Sequence, residues 1–373
     1  MKRARIPALC LVLLFLLTEA THAGDAELQA MTGSGQCGEN IAWNLDAAGN
    51  LSITGTGDFY GEENENYLPW REFGRYIVSV SISDGIATVP DYAFRYCDYL
   101  ESVTFGKDVR TVGEEAFEFC TRLTDISGAG NLETVGQAAF ARCPALEDFG
   151  FTGLITIGEA AFYDSGFTSV AIPDSVTEIG ESAFSYCENL ESVSIGQGVT
   201  YLDRGVFACP ALKEIRLSAT VTVIDENAVS GSNLLTVYYA GTAAQWNKIR
   251  GGGADNLKYY SERVYFESTG PEDAVPLTFS IEKISQSGED CRFSINVSGN
   301  GFQRINIVQC YYDKSGKFLE ADFRRDVYSE TSNEFSAWYW INGRQRSASV
   351  KVMVLDEYLR PLCPCGYGTF EYD

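Results

Sequence analysis

The chain has 373 residues, 28 Lys and Arg against 51 Asp and Glu, a formal net charge of −23, eleven cysteines and a single histidine. A polyanion of this size repels nucleic acid and anionic membrane, so neither is expected as a partner. The one histidine, His22, lies in the first 23 residues, so a chain cut after Ala23 has no imidazole for a Ser-His-Asp triad, a Cys-His pair or a metal site.

Residues 1–23 read as a secretory signal peptide. Lys2, Arg3 and Arg5 form the basic start, Leu9 to Leu17 the apolar core, and Thr21-His22-Ala23 the small-residue cleavage site. That core is short for a membrane span, and no later stretch is long enough for one. The expected location is extracellular, secreted or associated with a cell surface. Losing Lys2, Arg3, Arg5 and Glu19 takes the charge from −23 to −25.

Residues 24–85 are expected to form an N-terminal cap and the entry to residues 86–240. Ile41, Trp43 and Leu45 alternate with polar residues, Asp46 to Asn50 supply a turn, and Leu51 and Ile53 resume the alternation, which predicts a β-hairpin. Glu62, Glu63 and Glu65 offer oxygens to a calcium ion but lack the spacing of a calcium loop, and read as a solvated loop. Trp43 and Trp70 are suitable material for covering an exposed core end.

Residues 86–240 are a repeat. Phe94, Phe117, Phe140, Phe162, Phe184 and Phe207 recur at intervals of 23, 23, 22, 22 and 23 residues. A valine or isoleucine, a glycine and an acid precede several of them, as in Val112-Gly113-Glu114 and Ile179-Gly180-Glu181. A cysteine and a strand-like phrase come after, as in Cys97 with Leu100, Val103 and Phe105. A fixed period in this range predicts a solenoid, whose units bury their apolar sides only by stacking. The L-x-x-V-x-I pattern predicts one short strand per unit, and so a parallel sheet along one side of a β-rich solenoid. The Gly-Glu-x-Ala-Phe phrase predicts a tight turn with its Phe buried.

These units resemble the BspA-type leucine-rich repeats of bacterial surface proteins, over roughly Cys37 to Glu267. The hairpin phrase Cys37-Gly38-Glu39-Asn40-Ile41-Ala42-Trp43 and the closing segment 241–267, with Gln245-Trp246-Asn247, are similar to units that flank such repeats. The resemblance implies an extracellular, non-enzymatic protein of a family several members of which act in adhesion or host contact; the residues themselves point to no cofactor and no metal.

Cys97, Cys120, Cys143, Cys187 and Cys209 each stand three residues before a strand's first apolar position, a place that falls to Asp164 and Gly231 in the fourth and seventh units. Such a column reads as buried thiols packed between units; disulfides between neighbouring rungs are the alternative.

The candidate binding face is the outward side of the strands. It includes Ser102, Thr104, Asp125, Asp148, Ser192, Glu214, Arg216 and Tyr238, with Glu101, Glu147 and Glu191 as an acidic edge. Small and polar residues dominate, without the line of aromatics that a sugar platform wants. The expected partner is a protein or glycan ligand of unstated identity, with a solvated face as the competing reading.

Residues 268–275 read as a linker, and 276–373 as an antiparallel β-sandwich resembling immunoglobulin or fibronectin type III modules. Strands are expected at Leu277–Ile281, Cys291–Val297, Ile305–Tyr311, Phe335–Ile341 and Ser349–Leu355. Asn300-Gly301 is expected to join the second and third as a hairpin, which would set Cys291 opposite Cys310. Trp338 and Trp340 read as core. Besides binding, two other roles fit the sequence: a spacer presenting the C-terminal domain, and a glycosidase working through two carboxylates, which needs no histidine but which no motif supports.

Overall fold

The computed structural model describes residues 31–61, 67–234, 236–261 and 263–268, and beyond them 278–287, 290–298, 302–312, 315, 318–330, 335–340, 349–355, 361 and 366–369. The signal sequence, the acidic loop at Glu62, Glu63 and Glu65, and Cys363 with Cys365 lie outside the described residues. The chain divides into two compact units, Met1–Gly166 and Phe167–Asp373.

The first unit opens with antiparallel strands β1 (Gly33–Gln36), β2 (Ile41–Leu45) and β3 (Asn50–Gly55). Asp46 closes the β2–β3 turn by accepting the backbone N–H groups of Ala48 and Asn50, each at 2.9 Å. The strand β1 has no apolar pattern. It exists because Gly33 and Gly35 lie flat on the Trp43 indole; a Cβ on Gly33 would stand 2.7 Å from that ring.

From β3 onward the pairing turns parallel, through β4 (Ser79–Ile82), β5 (Ser102–Thr104) and β6 (Asp125–Ser127). Ser79 stands beside Ser102 and Ser102 beside Asp125, so the sequence period of 23 is the register. Val80, Val103 and their neighbours Leu100 and Leu123 point inward and are buried. The strand expected at Leu146/Phe149/Phe151 does not form. There the link from Phe151 to Leu154 is one residue shorter than that from Phe105 to Val109. Phe149 instead packs edge-on against Phe140 and Phe162, at 5.2 and 4.9 Å.

A second ladder, not anticipated from the sequence, runs through the dipeptides just before the glycines. Thr88–Val89, Thr111–Val112, Thr134–Val135 and Thr156–Ile157 pair in parallel. The glycine after each dipeptide is required by backbone contact: a Cβ on Gly158 would lie 2.6 Å from the Gly136 carbonyl carbon, and one on Gly136 2.8 Å from that of Gly113.

The turn side holds a third line of hydrogen bonds. The N–H groups of Tyr92, Phe94 and Tyr96 donate to the carbonyls of Glu114, Ala116 and Glu118, and those of Glu115, Phe117 and Phe119 to Gln137, Ala139 and Ala141. Aiming alternate N–H groups at the next rung places two residues per turn in the left-handed region: Tyr92 and Tyr96, Glu115 and Phe119, Ala138 and Arg142, Ala160 and Asp164. Each such non-glycine residue costs about 1–2 kcal/mol, which the stacked hydrogen bonds and buried rings offset. Between them the phenylalanines stack as a column. The successive rings of Phe94, Phe117 and Phe140 are 5.0 Å apart, and Trp70 covers the first ring at 5.7 Å, its indole N–H donating to the Ala93 carbonyl at 2.8 Å.

The second unit repeats this plan. Its parallel strands are β7 (Ser169–Ile172), β8 (Ser192–Ile195), β9 (Glu214–Leu217) and β10 (Thr236–Tyr239). Ser182, Phe184 and Tyr186 donate to Arg204, Val206 and Ala208 on the turn side, and Phe184 stacks on Phe207 at 5.5 Å. The helix α1 (Ala243–Trp246) starts in a reciprocal cap between Thr242 and Gln245, and sets Trp246 against Tyr239 and Phe266 at 5.3 and 5.8 Å. After α2 (Gly253–Tyr260), β11 (Arg263–Phe266) continues the parallel ladder beside β10.

The remaining strands are antiparallel: β12 (Thr278–Ser287), β13 (Asp290–Ser298), β14 (Phe302–Tyr312), β15 (Phe318–Glu330), β16 (Phe335–Trp340), β17 (Ser349–Leu355) and β18 (Gly366–Thr369). The expected hairpin between β13 and β14 is corrected by their partners. β13 pairs with β12 and β16, whereas β14 pairs with β15, β17 and β11. Cys291 therefore faces Gln286 and Tyr339, and Cys310 faces Ala321 and Lys351, so the two cysteines are not opposite each other. Asn300 and Gly301 themselves, and the side chains of Trp338 and Trp340, lie outside what is described.

Candidate functional site

The interior is committed to stacking, and the cysteine column shows how. Cys120 donates its thiol to the carbonyl of Phe94 at 3.2 Å, Cys143 to Phe117 at 3.2 Å, and Cys209 to Phe184 at 2.9 Å. Where cysteine is missing, Ser165 gives its hydroxyl to Phe140 at 2.9 Å and Ser232 to Phe207 at 3.1 Å. Asp164 and Gly231, which the fixed offset selects, are not the column members; those two rungs are one residue shorter, and the serine one place later takes the position. The column is thus a line of small S–H and O–H donors, each giving a hydrogen bond to a turn carbonyl of the preceding rung. Burial pushes the thiols of Cys97 and Cys143 up to about 12 and raises that of Cys120 well above its ordinary value. Contact with the Cys187 thiol, then burial, raises Cys209 as well. A thiol held protonated in this way is a poor nucleophile and a poor metal ligand.

The turn surface is also largely self-satisfied. Tyr96 is 52 % exposed, but one neighbour, Phe119, stacks on it at 5.0 Å, and the Arg95 guanidinium lies 4.7 Å from its ring centre. Arg95 in turn is held by Glu118 at 2.7 Å and Glu115 at 2.9 Å. Burial, then the nearby Glu118, raises the Glu115 carboxyl. These side chains spend their faces and charges on the next rung.

The outward side of the strands is different. In the first unit it carries Ser79, Ser102, Thr104, Asp125 and Ser127, with Glu101, Glu147, Asp148 and Gly150 exposed beside them. The hydroxyls form light links between rungs: Ser79 to the Asn50 amide oxygen at 2.7 Å and Ser127 to Thr104 at 3.0 Å. Among the described residues no cation is paired with Glu101, Asp125, Glu147 or Asp148, so this face is hydroxylated and acidic.

In the second unit the face has a step. Ser169, Ala171, Ser192 and Ser194 floor a depression of about 210 Å³, and Arg216 stands at its side. Arg216 pairs with Glu214 at 2.7 Å and lies 6.0 Å over the Tyr238 ring, which stacks on Tyr265 at 5.5 Å. Tyr238, expected on the open face, is 7 % exposed, because Tyr265, its register neighbour, lies against it. Glu191, expected at the acidic edge, is exposed and paired with Lys213 at 2.6 Å.

The outward strand residues follow from strand alternation, and Glu101, Glu147 and Glu191 from their fixed place after the repeat leucine, so the candidate positions could be read from the sequence, although no strand forms at Asp148. The pairing of Glu191 and of Tyr238 could not, because Lys213 comes from the neighbouring rung and Tyr265 from β11, which has no repeat phrase. Among the described residues no group of three or more His, Cys, Asp or Glu is placed to hold a metal ion, and no helix is long and apolar enough to cross a membrane.

Residues 73–153 and 151–248 match the family model of the BspA type leucine rich repeat region, in six copies. Over those residues the repeats are similar to that family. Several solved structures are similar, three of them as follows. One is a leucine-rich repeat protein from Eubacterium ventriosum, at 23 % identity and a TM-score of 0.44, with 57 % of this chain and 64 % of that one covered. A leucine-rich repeat protein from Bacteroides ovatus shares 24 % identity at a TM-score of 0.40, over 54 % of this chain and 57 % of that one. A leucine rich cell surface protein from Faecalibacterium prausnitzii shares 19 % identity at a TM-score of 0.18, over 61 % of this chain and 99 % of that one. The chain thus spans less than two thirds of the first two. No curated protein matches. In the repeats of this chain, then, turn and core columns recur from rung to rung, while the outward strand positions change from serine to acid to arginine.

Proposed function

We propose that the chain is an extracellular or cell-surface binding protein that engages a protein partner over the outward strand face of its BspA-type repeats. The observation that supports this most is the contrast within each rung. The Phe, Cys/Ser, Leu and Gly columns are held by hydrogen bonds or close packing, whereas Glu101, Asp125, Glu147 and Asp148 support nothing beneath them. A face of exposed acids and hydroxyls suits a basic protein surface, with charge speeding encounter. It offers no free ring face to a sugar, since Tyr238 and Tyr265 cover each other. The resemblance to bacterial surface proteins, with a sequence start that reads as a signal peptide, favours adhesion as the setting.

On this reading the chain is not an enzyme. The sequence beyond residue 23 holds no histidine, and the described cysteines of the repeat column are buried. The strands β12 to β18 form, in our reading, a small sandwich with an accessory role. The test is retention of the full chain on immobilised mucosal, matrix and bacterial-surface extracts, with and without Glu101→Gln, Asp125→Asn, Glu147→Gln and Asp148→Asn together. Saturable retention that weakens at least tenfold in the variant and falls with salt supports the proposal. Retention unchanged by the four substitutions moves recognition off this face. Release of sugar from a polysaccharide would restore the glycosidase reading.

A further inference from the structure

We propose that the C-terminal strands are the cap of the repeat sheet, locked to it through the edge of β11, rather than a module that hangs from a linker. Within the second unit β11 extends the parallel ladder in full register, Thr236 beside Arg263 through Tyr239 beside Phe266. Its other edge is taken antiparallel by the start of β14, with Arg263 beside Gln303 and Val264 beside Phe302. The same β14 is the central strand of the C-terminal sheet, paired with β15 on one side and β17 on the other. One hydrogen-bonded sheet therefore passes from the repeats into the C-terminal strands.

Burial shows that β11 is built for this place. Val264, Tyr265 and Phe266 are 0 %, 7 % and 8 % exposed, so both faces of the strand are covered, whereas on β7 the outward Ser169 and Ala171 are exposed. A strand apolar on both faces with an open edge is a template for association with other chains, and solenoids end in covers for that reason. At the N-terminal end the antiparallel hairpin β2–β3 performs this job. At the other end α1 and α2 lie between β10 and β11 in sequence, and it is β14 that takes the last edge.

Coupling through that edge makes the repeats near β11 and the C-terminal core open together. Hydrogen exchange on the full chain tests it, comparing wild type with Ile307→Ala and, separately, Val352→Ala. Both residues are buried in the C-terminal sheet, at 1 % and 0 % exposed, and neither belongs to β11. The expected result is that protection of the amides of Arg263–Phe266 falls at least tenfold together with that of β14 and β17, while Ser79–Ile82 is unchanged. Should the C-terminal strands lose protection while Arg263–Phe266 keeps it, the cap is a tethered module and the proposal is overturned. An equal loss at Ser79–Ile82 also overturns it, since β11 would then have no special link. Neither result bears on whether the outward face binds a partner.

Discussion

The turn side and the strand side of one rung are built from the same 23 residues under opposite constraints. On the turn side alternate N–H groups reach the next rung, two residues accept left-handed backbone, and the ring, small-donor and glycine columns are each held by contacts with the next rung. On the strand side the backbone ladder is equally regular, yet alternation turns half of its side chains outward, where they touch little. The difference teaches that a solenoid separates its work: one side holds the rungs together so that the other is open to change.

The most damaging way to break that separation is to empty the ring column. Phe117→Ala removes a fully buried ring stacked 5.0 Å from both Phe94 and Phe140. It is expected to cost about 3–5 kcal/mol in urea unfolding. Next comes the donor column. Ser165→Ala leaves the Phe140 carbonyl without its buried donor and is expected to cost about 1–3 kcal/mol, whereas Ser165→Cys, which copies the other rungs, recovers most of it.

The same column predicts a response to pH. The folded thiols of Cys97 and Cys143 are raised from 9.0 to about 12, so unfolding releases protons in alkali. Their contribution is complete below about pH 9 and is lost as pH rises towards about 12. Thermal melts should fall over this window, and by less in Cys143→Ser, whose hydroxyl does not ionise there. A flat melting temperature up to pH 11 would contradict buried thiols. Smaller still, Ala138→Gly relieves left-handed strain at φ 49° and is expected to stabilise by about 0.5–1 kcal/mol. On the strand side, Glu101→Gln or Glu147→Gln should stay within about 0.5 kcal/mol of the parent.

Much of this frame was legible in the sequence. Periodic Phe94 to Phe207 and the Leu100/Val103 phrase fixed the rungs, because burial depends on period alone. What escaped notice depends on neighbours in space. Thr88–Val89 and its equivalents are two residues long, too short to show alternation, and become strands only because the next rung supplies an identical partner. Ser165 and Ser232 were missed because a one-residue deletion moved the donor off the fixed offset. The Asn300-Gly301 hairpin failed because β13 and β14, though adjacent in sequence, find other partners, and β11 gives no sequence hint that it will bind β14. At the candidate face the positions were legible and most of their pairing was not: Glu191 pairs with Lys213 and Glu214 with Arg216, while Glu101, Asp125, Glu147 and Asp148 have no such partner among the described residues.

The most direct measurement is a pair of curves on the chain carrying Glu101→Gln, Asp125→Asn, Glu147→Gln and Asp148→Asn: its thermal melt and its retention on the immobilised surface extracts. The account predicts a melting temperature within a few degrees of the parent and retention at least tenfold weaker. A variant that melts far lower, or one that binds as the parent does, would contradict the claim that the strand face is where this solenoid meets its partner.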